Sequence, residues 1–228
     1  MVKKVNLFLA SFLILINLYG QANGYGVKAG PGLGLQRWSG SDRAPLFVYH
    51  VDAFADSESE SGNVLYGQLG YHLKGSALRI NQFIDVNGNI FPGSTFGMHF
   101  HNAVLELGMK KFFRKGKLNA FYGLGLRGEY TVKTKFEFYQ EYKDFVQRWN
   151  YGVSLRIGTE FFMSKFVRSG LEVHIAPDIS RQIFVPQGVR YYDPRTNTTS
   201  PGVEQSVRNT VIELSFYLRF LQIIEYID

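Results

Sequence analysis

Eight stretches of the chain alternate apolar and polar side chains, each over about ten residues. Period-two alternation places one face of a strand in apolar surroundings and the other in a polar space. An even number of such strands in one chain is typical of an all-β fold, the eight-stranded closed antiparallel transmembrane β-barrel with an up-and-down meander. The predicted strands are Tyr25–Trp38, Leu46–Asp56, Val64–Ile80, Phe96–Phe113, Leu118–Lys133, Trp149–Met163, Leu171–Ile179 and Ile212–Phe220.

The connections between these strands fall into two kinds. Those after the second, fourth and sixth strands are short, over 57–63, 114–117 and 164–170, and most of the others are longer. One long connection carries Asn87-Gly88, a two-residue hairpin signal. Another, over 185–207, holds three prolines and is expected to be one long irregular loop. This asymmetry predicts long loops outside the cell and both termini in the periplasm.

Alternation alone leaves open which face points outward. A soluble barrel of the lipocalin kind would place its apolar face inside. Three features favour the membrane orientation: each strand is long enough to cross a bilayer, glycines concentrate on the polar face, and the last strand ends in Phe220.

The composition agrees with this fold class. The chain has 20 Phe, 14 Tyr and 24 Gly, and no cysteine, which excludes a disulfide framework and lipid attachment through a cysteine. The formal charge of +6 is dispersed over turns and strand faces. Outer-membrane lipid and lipopolysaccharide are therefore expected partners, and nucleic acid is not.

The first residues have the three parts of a secretion signal. Lys3 and Lys4 precede an apolar run over 7–18 that is too short to span a bilayer, and small residues follow. We expect residues 1–22 to be a cleaved signal peptide, with cleavage after Gly24 as the alternative. Residues 23–228 then form the barrel with a short periplasmic C-terminal tail, in the outer membrane of a Gram-negative bacterium.

Three segments resemble a known family. The opening 25–30 (YGVKAG), the segment 68–75 (QLGYHLKG) and the strand 120–126 (AFYGLGL) resemble the outer-membrane β-barrel family of Bacteroidota, often labelled PorT-like or porin-like. The resemblance covers essentially the whole mature chain and implies a small eight-stranded barrel. It also implies a possible secretion or envelope-complex role, since PorT belongs to a protein-secretion apparatus.

Two sets of residues have predicted positions in such a barrel. Eight strands enclose a lumen that side chains fill, and charges buried there must be paired. The expected interior polar network is Lys28, Asp52, Glu106, Lys110, Arg127, Glu129, Arg156, Glu160, Glu172, Asp178, Glu213 and Arg219. The expected aromatic girdles are Trp38 and Trp149 at the loop-side rim, and Phe112, Phe113, Phe162 and Phe220 at the turn-side rim.

Candidate chemistry outside the lumen is sparse. His99 and His101 share a strand face and could present two imidazoles to a metal, although no close carboxylate completes the site. His101 could be the base for lipid hydrolysis, with Ser94 or another loop residue as the nucleophile. Tyr191, Tyr192 and Arg195 make a candidate surface-binding loop.

From these features we expect no catalytic residue, metal or cofactor. The expected role is a structural, surface-interaction or envelope-complex accessory protein, with an envelope-complex protein as a further partner. The alternatives are a small passive solute channel and, third, a lipid-modifying enzyme.

Overall fold

A computed structural model describes residues 22–39, 43–85, 87–115, 118–193, 198–201 and 204–222 of the 228-residue chain. The predicted signal peptide lies almost wholly outside these ranges, as does the tail after Gln222. The strands are β1 (Ala22–Trp38), β2 (Leu46–Glu58), β3 (Asn63–Arg79), β4 (Gln82–Ile84), β5 (Ile90–Pro92), β6 (Thr95–Lys115), β7 (Leu118–Phe136), β8 (Trp149–Phe162), β9 (Val167–Pro177), β10 (Ile183–Val185), β11 (Arg190–Asp193), β12 (Thr198–Pro201) and β13 (Gln205–Gln222).

Eight of these strands close into a ring. The order is β1-β2-β3-β6-β7-β8-β9-β13, and β13 returns to pair with β1. Every pairing is antiparallel, and the register runs without interruption along most of each strand, for example from Asn23 opposite Gln222 to Trp38 opposite Val207. The ring is therefore the closed up-and-down barrel that the alternation predicts.

The barrel has a turn side and a loop side. On the turn side the links 59–62, 116–117 and 163–166 join β2 to β3, β6 to β7, and β8 to β9. The loop side carries the longer connections, one of which holds a 3₁₀ helix at Gln140–Phe145. Within the described residues no helix is long and apolar enough to cross a membrane.

Two of the long connections contain hairpins. β4 and β5 pair through Phe83 opposite Phe91 and Ile84 opposite Ile90. The link is longer than the predicted two-residue turn, because the Asp85 amide donates to the Asn89 carbonyl at 3.0 Å and the Gly88 amide donates to the Asp85 carbonyl. The segment 185–207 is also not one irregular loop, since β11 and β12 form a second hairpin within it and β13 begins at Gln205.

The outward face is apolar and the inward face is polar. Leu126, Phe47 and Ile157 each expose more than 60% of their surface on the outside of the ring. Lys74, Arg127 and the other charged residues inside are almost completely buried. Since a water-soluble barrel would have the opposite arrangement, the outer face is built for lipid.

Candidate functional site

An ion-pair cluster closes the lumen at the turn side. Arg219 lies 2.8 Å from Asp56, 3.2 Å from Glu58 and 3.5 Å from Glu160. Arg168 adds a second cation at 2.8 Å from Glu160. The five groups are held from β2, β8, β9 and β13, so this cluster ties opposite walls of the barrel together.

An aromatic layer lies above that cluster. Its members pack inside the ring around the ammonium group of Lys110, which lies 5.0 Å from the centroids of the Tyr66 and Phe121 rings and 3.4 Å from Glu172. Cation–π contact and one carboxylate thus compensate the buried charge. The layer consists of Phe54, Val64, Phe112, Phe121 and Tyr217.

Arg156 organises the middle of the lumen. Its guanidinium pairs with Glu106, lies 3.2 Å from Glu172, and stacks over the Tyr66 ring at 4.2 Å. Lys28 of β1 reaches Glu172 of β9 past the intervening strand β13, at 2.8 Å. Both carboxylates therefore have cationic partners, which is what burial of charge requires.

Three histidines occupy the next level. His72 contacts Asp52 and Glu213 through its two ring nitrogens, each at 2.7 Å, and His174 contacts the other oxygen of Glu213 at 2.8 Å. The ring of His50 stacks on that of His72 at 5.2 Å. Because ionised carboxylates only accept hydrogen bonds, this geometry suits a His72 that donates from both nitrogens.

Above the histidines, Lys74 bridges two carboxylates. Its Nζ lies 2.6 Å from both Glu129 and Asp178, and Arg127 lies 2.5 Å from Glu129. Asn102 donates to the second Glu129 oxygen at 2.9 Å. Each carboxylate in this layer therefore meets at least one cation.

A chain of uncharged polar groups then crosses the lumen. Gln36 donates to Asn209 at 2.7 Å, Asn209 donates to Gln182 at 2.9 Å, and Gln182 donates to Thr131 at 3.1 Å. The Ser76 hydroxyl donates to Gln36 at 2.6 Å. This chain links β1, β13, β7 and β3 just below the loop-side mouth.

An apolar cap covers the loop-side mouth. The Arg43 guanidinium stacks over its outer surface, 4.2 Å from the Trp38 ring and 5.0 Å from the Tyr139 ring. Charged and polar layers thus lie between an apolar cap and an ion-pair cluster. The cap is formed by Trp38, Met98, Phe100, Phe136, Ile183, Val185 and Val207.

The structure places all twelve expected interior charges on the lumen side of their strands. The lumen also contains charged groups that were not in the interior network predicted from the sequence. Of these, Lys74 and His72 lie on the strand with the least regular alternation, although Gln68, His72 and Lys74 already recur at even positions. The further members are His50, Asp56, Glu58, Arg168 and His174.

The girdle assignments need two corrections. Trp38 is only 8% exposed and belongs to the apolar cap, and Phe112 is only 7% exposed and belongs to the interior aromatic layer. Phe162, at the end of β8, is exposed beneath the Arg168 guanidinium. Trp149 faces outward at the loop side, as Phe113 and Phe220 do at the turn side.

Tyrosines also belong to these outward aromatic groups, although the girdles predicted from the sequence contained none. Tyr25 stacks on Phe220 at 5.7 Å, and Tyr122 stacks on Phe113 at 5.3 Å. At the loop side Tyr130 contacts Trp149 at 4.8 Å. The sequence could have predicted this, because these tyrosines alternate in step with the outward apolar residues of β1 and β7.

Two histidines, His99 and His101, lie on the outer face of β6. His101 pairs with the Tyr71 hydroxyl. Ser94 lies just before β6, seven residues ahead of His101, which separates the two by roughly 23 Å in extended chain, so Ser94 is not placed to serve as the nucleophile of His101. Among the described residues, no group of three or more His, Asp or Glu side chains is placed to hold a metal ion.

The candidate surface-binding loop is described only in part. Tyr191 and Tyr192 lie in β11, opposite Ser200 and Thr199 of β12. Arg195 lies outside the described residues.

The β4–β5 hairpin is held by Asp85. Its carboxylate accepts hydrogen bonds from the Asn89 side chain and from the Asn89 and Asn87 amides, each at 2.8 Å. These bonds hold the pKa of Asp85 below its usual value.

Comparison with known proteins identifies the fold alone. No protein-family model and no curated protein sequence matches the chain. Among solved structures, the outer membrane protein OprG from Pseudomonas aeruginosa matches with a TM-score of 0.50 at 9% identity, over 89% of this chain and 98% of that one. The outer membrane protease OmpT from Escherichia coli gives 0.46 at 8% identity, over 88% and 97%. Neisserial surface protein A gives 0.44 at 11%, over 88% and 99%. The chain thus has the fold of an eight-stranded transmembrane β-barrel of the outer-membrane kind.

Proposed function

We propose that this protein is a non-enzymatic β-barrel of the outer membrane of a Gram-negative bacterium, exported through a cleaved signal over residues 1–22. Its role is structural, surface-interacting or accessory to an envelope complex, in line with the resemblance to PorT-like barrels of Bacteroidota. The apolar outer face supports the membrane location, as does the fold shared with the outer membrane protein OprG.

The filled lumen is the observation that carries this proposal. An apolar cap, a polar chain, paired charges, an aromatic layer and an ion-pair cluster follow one another from the loop side to the turn side. Water and solutes would have to separate buried ion pairs to pass, and breaking one such pair costs about 3–5 kcal/mol. A passive channel is therefore the weaker alternative.

The loop side supports an interaction role. In the β4–β5 hairpin Phe83, Ile84, Ile90 and Phe91 are all exposed beyond the ring. Exposed apolar clusters on a rigid scaffold mark contact surfaces.

Planar-bilayer recording tests the closed lumen. We expect the purified protein to give no reproducible conductance steps in bilayers where an open porin does so. The double variant Trp38→Ala/Phe100→Ala removes much of the apolar cap and leaves the ion pairs. We expect this variant also to give no conductance steps. Steps of constant size from the unmodified protein would establish a channel. Conductance from the double variant alone would make the cap a gate and would contradict a lumen filled along its length.

A further inference from the structure

Two arginines face each other on the outside of the barrel at the loop side. Arg37 of β1 lies directly opposite Arg208 of β13, and both are exposed. Like charges at opposed positions repel each other. Among the described residues neither guanidinium has a carboxylate partner. An anion held between them would convert this repulsion into attraction.

Arg37 and Arg208 lie at the level of the barrel where lipid headgroups are expected. On β8 the apolar outward face runs from Phe161 to Trp149, thirteen residues that span about 30 Å when the strand is tilted by about 40°. The exposed Trp149 marks the loop-side end of that band. The last outward apolar residue before Arg37 on β1 is Leu35, and the last before Arg208 on β13 is Ile212. The pair therefore lies at the loop-side edge of the apolar band.

A recess of about 590 Å³ adjoins Arg208 on the same face. Arg181 lies on its wall, over the Phe184 ring at 4.6 Å, with Glu204 at 3.8 Å as an exposed partner. Trp149 and Tyr151 supply its aromatic wall, and both expose at least 60% of their surface. Its volume is in the range of small-molecule sites.

Beside the recess, Arg148 donates to the Tyr130 hydroxyl at 3.4 Å, and Tyr130 contacts Trp149. Arginines thus flank an aromatic surface at one level of the barrel. Guanidinium groups bind phosphate through paired hydrogen bonds, and aromatic rings with one apolar and one wet side suit the membrane interface.

The geometry points to a binding site for the phosphorylated sugar headgroup of an outer-leaflet glycolipid, with the phosphate held by Arg37 and Arg208 and the sugar in the recess beside Arg181 and Trp149. This inference rests on the proposed outer-membrane location. It adds a defined ligand class and position to a role that the closed lumen leaves general.

Native mass spectrometry of the detergent-solubilised protein tests the site. The probes are bisphosphorylated lipid A, the same lipid with both phosphates removed, and inorganic phosphate as competitor. We expect Arg37→Gln/Arg208→Gln to weaken binding of the bisphosphorylated lipid about tenfold, since a bidentate charged contact is lost. The dephosphorylated lipid should bind weakly and equally to all variants.

Lys111→Gln/Lys165→Gln is the control, because it removes two cations at the turn side, the exposed Lys165 and the half-buried Lys111. We expect it to leave lipid A binding unchanged within about twofold. Equal weakening by the control pair, or equal binding of the dephosphorylated lipid to the unmodified protein, would overturn the site. Displacement of the lipid by inorganic phosphate at equal concentration would assign the arginines to a soluble anion and overturn the glycolipid.

Faster migration of unboiled samples in gels checks that each variant is folded. If the double variant does not fold, the single variant Arg208→Gln replaces it, and we expect its affinity for bisphosphorylated lipid A to fall about fivefold. Because these measurements are made in detergent and the conductance test in a bilayer without lipid A, either proposal can fail without the other.

Discussion

Arg156 holds two buried carboxylates, Glu106 and Glu172, in the centre of the lumen. Removal of its guanidinium would leave excess negative charge in a space from which water is excluded. A buried pair broken on one side destabilises a protein by about 3–5 kcal/mol, more than the pair itself contributes when intact.

We therefore expect Arg156→Met to lower the free energy of unfolding by about 3–5 kcal/mol. Urea unfolding from lipid vesicles, followed by fluorescence of the two tryptophans, measures this value. Lys135→Met is the control, because Lys135 pairs with Glu137 at 3.1 Å on the exposed loop side. A screened surface pair contributes little, so no measurable loss is expected there. Equal stability of the two variants would mean that water reaches the lumen.

Sequence parity was sufficient to place most of these interior residues. Counting by two from Lys28 reaches Gln36 and then Trp38, and counting from Glu106 reaches Lys110 and then Phe112. Both aromatics share the parity of the lumen face. They were assigned to the girdles because aromatic residues near strand ends suit membrane interfaces, but here the same rings close the ends of a narrow lumen from inside.

At the scale of the strand, glycines on the lumen face make room for the aromatic layer. A Cβ added at Gly158 of β8 would lie 2.5 Å from both the Leu171 carbonyl oxygen and the Phe121 ring. One added at Gly128, on the outward face of β7, would meet nothing nearer than 3.9 Å. Inward glycines therefore have a packing role that outward ones lack.

We expect Gly158→Ala to destabilise the barrel by about 1–3 kcal/mol, because the Phe121 ring must move in a filled layer. Gly128→Ala should be neutral or slightly stabilising, since it only restricts the unfolded chain. The two variants are compared by heating samples stepwise before electrophoresis and recording the temperature at which the fast-migrating band of the folded protein disappears. Equal temperatures would show that the aromatic layer is loosely packed.

The number, order and pairing direction of the barrel strands could be predicted from sequence, because period-two alternation reports directly on two unlike surroundings. The ends were less predictable. β13 begins at Gln205 rather than Ile212, and its added residues pair with β10 and with the upper part of β1. There, outside the bilayer, both faces contact protein or water, and alternation loses its physical cause.

For the whole molecule, the placement in a bilayer can be tested with arginine substitutions at two depths on the outward face. Leu126 lies near the middle of the outward face of β7 and is 71% exposed, and Val132 lies at the loop-side end of the same strand. Arginine on the lipid face costs about 2–4 kcal/mol at the midplane and about 0–1 kcal/mol near the interface.

We expect Leu126→Arg to lower the free energy of unfolding from lipid vesicles by about 2–4 kcal/mol and Val132→Arg by less than about 1 kcal/mol. The same urea titration measures both variants. In a water-soluble barrel the two arginines would be equally harmless, so equal values would contradict the membrane orientation.

Which cation meets which carboxylate could not be read from the sequence. Lys28 and Glu172 are 144 residues apart, and Arg219 and Asp56 are 163 apart. Such contacts depend on the tilt and stagger of the closed ring, and alternation reports only the face on which each residue lies.

The join between β1 and β13 also determines when the protein can become a membrane protein. β1 and β13 can pair only after β13 has been delivered, and the carboxylate partners of Lys28 and Arg219 lie across that seam. Until then these charges need water, which the bilayer core does not supply. We therefore expect insertion into the bilayer and neutralisation of these charges to occur together, once β13 has paired with β1.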